Sequence, residues 1–345
     1  MAIQSESHDF QTDIAAAPTG SLLLTRHEVA GLLGLDECIG AVETAFRALA
    51  SDDAIPPAVL GVHVDGGGFH IKTAGLAGSV PYFAAKLNGN FYGNAERFAL
   101  PRIQGLIVLS DARNGYPLAI MDSTEITAIR TAATTAVAAK YLSRADSTVA
   151  TICGCGLQGR VHLAALNKMR PLEIAYAYDA DIAVAESFVA DLSSELGIEL
   201  RPTAELALSA RRSDIIVTCT PSEIPLLGPD DVAPGSFVAA VGADSEEKQE
   251  LDAGLLVTAT VVVDNLEQCA TIGELHHALE QDLIARSDVY AELHEVVAER
   301  RPGRTSDTQV IIFDSTGIAI EDVAAAALVY ERARRTGVGT WMELL

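Results

Sequence analysis

Hydrophobic positions along this chain follow three successive rhythms. From Thr25 to residue 49 they recur every three to four residues, at Val29, Leu32 and Leu33 and then at Ile39, Val42, Ala45, Phe46 and Leu49. That period predicts a helix over this stretch, and Thr25 followed by Glu28 carries the capping-box signature at its start. Between Ile55 and Ile120 the pattern shortens to Gly-, Asn- and Pro-punctuated runs at 59–64, 69–73, 82–87, 104–110 and 117–121. These predict strands of a mostly antiparallel or mixed sheet, with Asn114-Gly115 as a hairpin turn. Ser123 or Thr124 is then positioned to cap a long Ala/Thr-rich helix reaching Leu142.

Beyond it, apolar strands alternate with helices. Strands are expected at 149–152, 174–178, 199–201, 214–219, 237–241, 261–264 and 310–313. Helices are expected from Val161, at 182–196, 204–210, 272–279, 283–286 and 321–335, the last ending at Gly337. Such alternation predicts an α/β fold with a Rossmann-type doubly wound parallel sheet. The expected organisation is a flexible tail at 1–20, a Rossmann domain at 124–319, and a smaller α+β substrate-binding and dimerisation domain. The smaller domain takes 21–123 together with 320–345, because the final helix has no place left in the parallel sheet. Its strands form too small a unit to bury a core alone, which predicts a homodimer held through that domain.

The run Val149 to Ile152 feeds into Gly154-Cys-Gly-Leu-Gln-Gly159, and a helical pattern follows. Strand, glycine turn and helix in this order form a dinucleotide-binding fingerprint. Gly154 permits the tight turn, Gly156 lets backbone approach a pyrophosphate, and Gly159 allows helix and strand to pack closely. The phosphates then sit at the positive end of the helix. The next strand ends in Asp179, about 20 residues on. A carboxylate there accepts the ribose hydroxyls and repels a 2′-phosphate, which predicts NAD(H) rather than NADP(H).

The 345 residues carry a formal net charge of −23, which argues against nucleic acid and anionic membranes as partners. No apolar run is long enough to span a bilayer, and the first 20 residues do not read as a signal peptide. Five scattered cysteines, Cys38, Cys153, Cys155, Cys219 and Cys269, fit a reducing, cytoplasmic compartment. Cys153-x-Cys155 has no second pair at metal-site spacing, so no metal is expected. His276-His277 suggests acid/base or metal chemistry, but helical spacing sends adjacent residues to different faces, which favours exposed or capping histidines.

Five segments together resemble the ornithine cyclodeaminase/mu-crystallin family. They are Lys86-Leu-Asn-Gly-Asn-Phe91, Arg130-Thr-Ala-Ala-Thr-Thr-Ala136, the glycine turn, Val241-Gly-Ala-Asp244-x-x-x-Lys248-x-Glu250-Leu251, and Phe313-Asp-Ser-Thr-Gly317. The resemblance implies an NAD(P)(H)-dependent dimeric enzyme that interconverts α-amino acids and imines. It implies that Lys86 and Arg130 bind the substrate carboxylate, and that Lys86 and Asp244 are catalytic, Asp244 handling the nitrogen proton. It implies a cofactor site of Thr131, Gly154, Gly156, Leu157, Gln158, Gly159, Asp179, Cys219, Thr220, Val241 and Gly242. Chemistry supports the roles: guanidinium holds carboxylate bidentately, and a carboxyl group in a closed pocket has a raised pKa and donates a proton. Arg130 is expected to pack against backbone or cofactor, and Lys86, in an apolar strand, needs a counter-charge.

Two departures bear on the substrate. Relatives have an arginine after a proline in the first domain, where this chain reads Ile55-Pro-Pro-Ala-Val-Leu60. Cyclodeaminases carry a glutamate in the strand before the Lys86 equivalent, where this chain reads Phe69-His-Ile-Lys-Thr73. Lys72 repels a substrate ammonium and supplies the missing cation or binds a second carboxylate, unless it is a structural lysine whose stem lies along apolar surface. The leading expectation is therefore an NAD(H)-dependent reductase/dehydrogenase of a small α-imino acid. Ornithine cyclodeamination and non-catalytic small-ligand binding, as in mu-crystallin, are the alternatives.

Overall fold

The computed structural model of the protein describes residues 20–51, 53–78 and 80–344. Of the segment 1–20 expected to be a tail, all but Gly20 lies outside the described residues. The chain opens with β1 (Ser21–Leu24), α1 (Arg26–Leu32) and α2 (Leu35–Ala50), followed by β2 (Ala54–Val64), β3 (Gly67–Leu76) and β4 (Tyr82–Phe91). Next come α3 (Asn94–Phe98), β5 (Ile103–Asp111), β6 (Pro117–Asp122) and the long α4 (Thr124–Leu142). The second half begins with β7 (Val149–Cys153), α5 (Leu157–Met169), β8 (Ile174–Tyr178), α6 (Ile182–Leu196), β9 (Glu199–Thr203) and α7 (Leu206–Ala210). It continues through β10 (Ile215–Thr218), β11 (Phe237–Ala240), α8 (Ala253–Thr258), β12 (Thr260–Val263), α9 (Leu266–Ile272) and α10 (Glu274–Glu280). Last are β13 (Ala291–Glu292), α11 (Leu293–Val297), β14 (Ile311–Asp314), α12 (Ala319–Thr336) and β15 (Thr340–Met342).

The strands form two sheets. One is all parallel in the order β13-β12-β14-β11-β10-β7-β8-β9. It is a Rossmann-type sheet whose strand order reverses between β7 and β10. The other is mixed, in the order β15-β1-β6-β5-β4-β3-β2, antiparallel except for β1 on β6. In its register Val59 faces Lys72, Lys72 faces Lys86, and Lys86 faces Ile107. This row looks inward, and α12 packs on the same strands. The alternate residues Leu60, Val62, Phe69, Leu87 and Leu106 look outward and are exposed.

Between the sheets lies α4, buried nearly all round and packed on α1, α2, α5 and α12. Its Ala and Thr side chains permit that crowding, since a helix covered on every side needs small residues to let neighbours approach. α12 begins three residues past Thr316 and docks on α2, α4, β3 and β4. One continuous segment thus leaves the parallel sheet at β14 and braces the mixed sheet.

Local differences from the sequence reading have identifiable causes. The helix expected over 25–49 is two helices, because Leu33 is extended and Gly34 restarts the helix as the N-cap of α2. The Thr25–Glu28 capping box closes α1, with Thr25 N donating to Glu28 Oε2 at 2.8 Å. Ser123 stands at the N-cap of α4 but gives no cap bond; its hydroxyl donates to Asn88 Oδ1 at 2.7 Å. Asp122 Oδ1 accepts from Thr124 N instead. The helix expected at 283–286 is absent there; a single 3₁₀ turn follows at Arg286–Asp288, and helix forms earlier as α9 and α10 around Gly273.

Gly317 sits where α12 is launched. Its φ is +76°, a left-handed conformation that costs a side-chain-bearing residue about 1–2 kcal/mol. An added Cβ would also stand 2.6 Å from Arg130 Nη1. Gly317→Ala should therefore lower the unfolding free energy by that amount or more, read as a lower urea midpoint at unchanged slope. An unchanged midpoint would show that the segment relaxes freely.

Candidate active site

The C-terminal ends of β7, β8, β10 and β11 build a cradle. Gly154 has φ +105°, and an added Cβ would meet Cys219 O at 2.9 Å, so the turn is closed to larger residues. An added Cβ on Gly159 would approach Ile152 Cγ2 to 3.0 Å, the close helix–strand contact that the fingerprint requires. Gly156 caps α5, and the space a Cβ would enter there is empty. The helix N-terminus thus opens directly onto free volume, which suits a pyrophosphate. Gln158 Oε1 beside it is buried without a partner. Asp179 is turned into the same turn, its Oδ2 accepting from Cys155 N at 2.9 Å. These groups fit a dinucleotide.

The loops at the far side of the cradle are held by buried carboxylates. Glu250 accepts from Thr220 N (2.5 Å) and Thr220 Oγ1 (2.7 Å) through one oxygen, and from Gly242 N (2.9 Å) through the other. Glu274 in turn accepts from Glu250 N (2.7 Å) and Leu251 N (3.0 Å). Burial raises the pKa of both carboxyls, that of Glu274 well above its ordinary value. Cys219 thiol bonds the Cys153 and Gly154 carbonyls. Thr131 Oγ1 donates to Thr127 O at 2.6 Å, along its own helix. Val241 is part-buried and Leu157 is exposed.

A cavity of about 400 Å³ opens between the mixed sheet and these loops. His70 and Lys72 from β3, Asp244, and Asn265 and Gln268 at the start of α9 line it. Lys72 Nζ donates to Thr316 O (3.0 Å) and Gly317 O (2.7 Å). Burial lowers the Lys72 pKa, and neighbouring Arg130 adds to this. Burial also lowers His70, followed by the charge of Lys72.

Lys86 and Arg130 do not line this cavity; they lie within the protein beside it. Lys86 Nζ donates to Asp322 Oδ1 at 2.8 Å, and Arg130 Nε donates to the same oxygen at 3.0 Å. Arg130 Nη1 donates to Glu321 Oε2 at 2.5 Å. All four side chains are at most 5% exposed. Burial pulls Lys86 down to about 7 against the opposing charge of Asp322. Burial raises Asp322, but the Lys86 and Arg130 cations outweigh it and hold the carboxyl below its ordinary range. Arg130 was expected against backbone or cofactor; its partners are carboxylates of α12. Neither Glu321 nor Asp322 is distinguishable in sequence from ordinary acids at a helix start.

Asp244 departs from its expected chemistry. Burial raises its carboxyl, but Lys248 Nζ, 2.5 Å from Oδ1, outweighs that and lowers the pKa instead of raising it. Its side chain is 46% exposed at the cavity mouth. Lys248 also donates to Gly242 O at 3.2 Å. This partner was legible as an i+4 lysine in the sequence and was not read as one. The histidine pair departs too. His276 Nδ1 donates to Gly273 O (2.9 Å) and His277 Nε2 to Lys248 O (2.8 Å), which brings the rings to 3.8 Å instead of opposite faces. His276 is buried.

Comparison with known proteins adds identity to this geometry. The sequence model of the ornithine cyclodeaminase/mu-crystallin family matches residues 20–337. An archaeal alanine dehydrogenase dimer with bound NAD is 38% identical, with a TM-score of 0.90, covering 94% of this chain and 99% of that one. Thermococcus litoralis Δ1-pyrroline-2-carboxylate reductase, in complex with NADH and L-proline, is 32% identical with a TM-score of 0.89, covering 93% and 100%. The iminosuccinate reductase of Paracoccus denitrificans, in complex with NAD⁺, is 31% identical with a TM-score of 0.86, covering 94% and 100%. No described helix is long and apolar enough to cross a membrane.

Asp314, at the end of β14, lies beneath the cleft. It is fully buried, its Oδ2 accepts from Leu275 N at 2.9 Å, and its Oδ1 has no partner. Burial, with the charge of Asp264 also raising it, carries its pKa from 3.8 to about 7. A raised carboxyl stabilises the fold below its unfolded value, and that contribution is lost as pH rises through the folded one. Wild type should therefore lose stability relative to Asp314→Asn between pH 4 and 7. Urea unfolding of both proteins across that range measures it, and a pH-independent difference would refute it.

Proposed function

Because the chain belongs to the ornithine cyclodeaminase/mu-crystallin family, we propose that it interconverts a small α-imino acid and its L-amino acid. The protein is an NAD-dependent enzyme, as similar solved structures are dehydrogenases and reductases holding NAD(H). The observation that carries the finer reading is a cavity lined by Lys72 and Asp244, with the buried Lys86 the cross-strand neighbour of Lys72 and sharing Asp322 with Arg130.

The cradle of Gly154, Gly156, Leu157, Gln158 and Gly159 would take the pyrophosphate at the start of α5. Asp179 would receive the adenosine ribose, and Thr131, Cys219, Thr220, Val241 and Gly242 would flank the rest of the dinucleotide. When bound, NAD(H) supplies or takes the hydride. Arg130 and Lys86 would grip the substrate carboxylate, and this fixes Cα for transfer. Asp244, held ionised by Lys248, would accept a proton from the substrate nitrogen as the amine is oxidised. In the reducing direction the same carboxyl would return that proton, and the Lys248 ammonium in contact with it is placed to stabilise the carboxylate left behind.

Lys72 supports an imino acid with a neutral or acidic side chain over a diamino acid. A substrate ammonium ~4 Å from this lysine would be repelled by several kcal/mol at the effective dielectric of a protein site. A carboxylate would gain a charge-assisted hydrogen bond there. The test is NADH oxidation at 340 nm with Δ1-pyrroline-2-carboxylate and with pyruvate or oxaloacetate plus ammonium. Asp244→Asn should bind NADH as wild type does and turn over about 10²-fold more slowly or worse. Near-full activity would remove Asp244 from the proton path. Conversion of ornithine to proline and ammonia by wild type would put cyclodeamination first.

We also propose that the enzyme is a homodimer. The outward face of β2–β5 presents Leu60, Val62, Phe69, Leu87 and Leu106 side by side, each 38–57% exposed. A contiguous apolar sheet face of this kind is characteristic of a subunit interface, and the archaeal alanine dehydrogenase neighbour is a dimer. Light scattering at micromolar concentration should give twice the chain mass, and Leu60→Asp with Leu106→Asp should give the monomer. A monomeric wild type would overturn the proposal.

A further inference from the structure

We propose that Asp322 is a positioning residue for the carboxylate clamp: it keeps Lys86 charged and aimed before substrate arrives, while Glu321 only aims Arg130. This rests on the reading of Lys86 and Arg130 given above. The groups come from three elements that meet only in the folded protein. Lys86 is on β4, Arg130 on α4, and both acids lie in the first turn of α12.

Asp322 Oδ1 is shared, at 2.8 Å from Lys86 and 3.0 Å from Arg130, so one atom fixes the spacing of the two cations. The Lys86 ammonium also stands 2.8 Å from Oδ2, so it spans the carboxylate while Arg130 holds one of its oxygens. An aspartate present only to neutralise one buried lysine would not need to reach both. Gly317 strengthens the assignment. Arg130 packs where its Cβ would be, Lys72 donates to its carbonyl, and Asp264 Oδ2 accepts from its N–H at 2.6 Å. The third cation is therefore held by backbone and not by the α12 acids, which remain committed to Lys86 and Arg130.

A buried lysine readily gives up its proton. The charged groups facing Lys86 are Asp322 on α12, Arg130 on α4 and Lys72 beside it on β3. Two of these are cations, so Asp322 alone opposes deprotonation. Lys86 with a folded pKa of about 7 loses its charge as pH rises through that value, and losing Asp322 moves the loss to lower pH. Arg130 differs, because a guanidinium stays charged throughout the accessible range. The two acids should thus produce different pH signatures.

The test is calorimetric titration of the NADH-bound protein with pyruvate from pH 5.5 to 8.5. Wild type should bind progressively less well above pH 7. Asp322→Asn should shift that midpoint to lower pH by about one unit or more, a loss of about tenfold at pH 7.5 that recovers at pH 5.5. Glu321→Gln should change affinity equally at every pH, and Asp322→Glu should restore part of the wild-type profile. NADH fluorescence titration confirms that each variant is folded. An Asp322→Asn profile with the wild-type midpoint overturns the inference. If wild type binds no pyruvate at any pH, the carboxylate-clamp reading falls instead. Side-chain ¹⁵N NMR of Lys86 then decides the ion-pair claim: a lowered titration midpoint in Asp322→Asn supports it, and an unchanged one overturns it.

Discussion

The two carboxylates that open α12 are the constraint on which the rest of the molecule depends. Lys86 and Arg130 are at most 5% exposed, and an unpaired buried charge costs several kcal/mol. Neither β4 nor α4 supplies a partner of its own. The mixed sheet, the central helix and α12 must therefore dock together for either cation to be buried. Because α12 follows directly from β14, this also fixes how the parallel sheet meets the mixed one. Replacing such a cluster by apolar residues often loses little stability. Its retention makes better sense as specification of one arrangement, the arrangement in which both cations lie beside the cavity.

A second chain of carboxylates performs the matching task on the cradle side. Glu250 ties the loop after β10 to the loop after β11 through Thr220 and Gly242, and Glu274 ties Glu250's own backbone to α10. Each acid satisfies backbone N–H groups that irregular segments otherwise leave open. Loops that flank the proposed dinucleotide site are thereby fixed by several hydrogen bonds each, instead of by their own short sequences. The cost is burial of acids with raised pKa values, which grows as pH rises from their unfolded through their folded values.

How much of this was legible in the sequence follows from the range of each interaction. Seven of the eight parallel strands, the Gly154–Gly159 turn and the return of the last helix follow from period and glycine placement and could be read directly, while β13, two residues long, carries no period. The strands β1 and β15 at one end of the mixed sheet are four and three residues long, too short for a period to register. The break between α1 and α2 hides inside an apolar run that suits one helix equally well. Lys86, Arg130 and Asp244 stand out in the sequence because they lie in family motifs, and Lys72 because it departs from one. Their partners do not. Asp322 lies 236 residues from Lys86, and nothing in its neighbourhood distinguishes a buried counter-ion from an ordinary helix-start acid. Asp244 shows the same limit at short range. Its raised pKa was inferred from the pocket, while Lys248, one helical turn away in sequence, reverses the sign.

With the proposed roles, these partners also bear on selectivity. In the free protein each substrate-facing charge already has a mate: Lys86 and Arg130 with Asp322 and Glu321, Asp244 with Lys248. A ligand has to offer something better than the pairs it loosens. A simple carboxylic acid competes for the cations but leaves Asp244 with Lys248. A simple amine competes for Asp244 but finds Lys72 nearby and leaves the α12 acids in place. An amino or imino acid carries its carboxylate and its charged nitrogen on one carbon, so it engages both ends in a single binding event. The second contact is then intramolecular and has little further entropy to lose. Discrimination thus comes from requiring both charges at a fixed spacing, and the prior pairing inside the protein is what makes either charge alone insufficient.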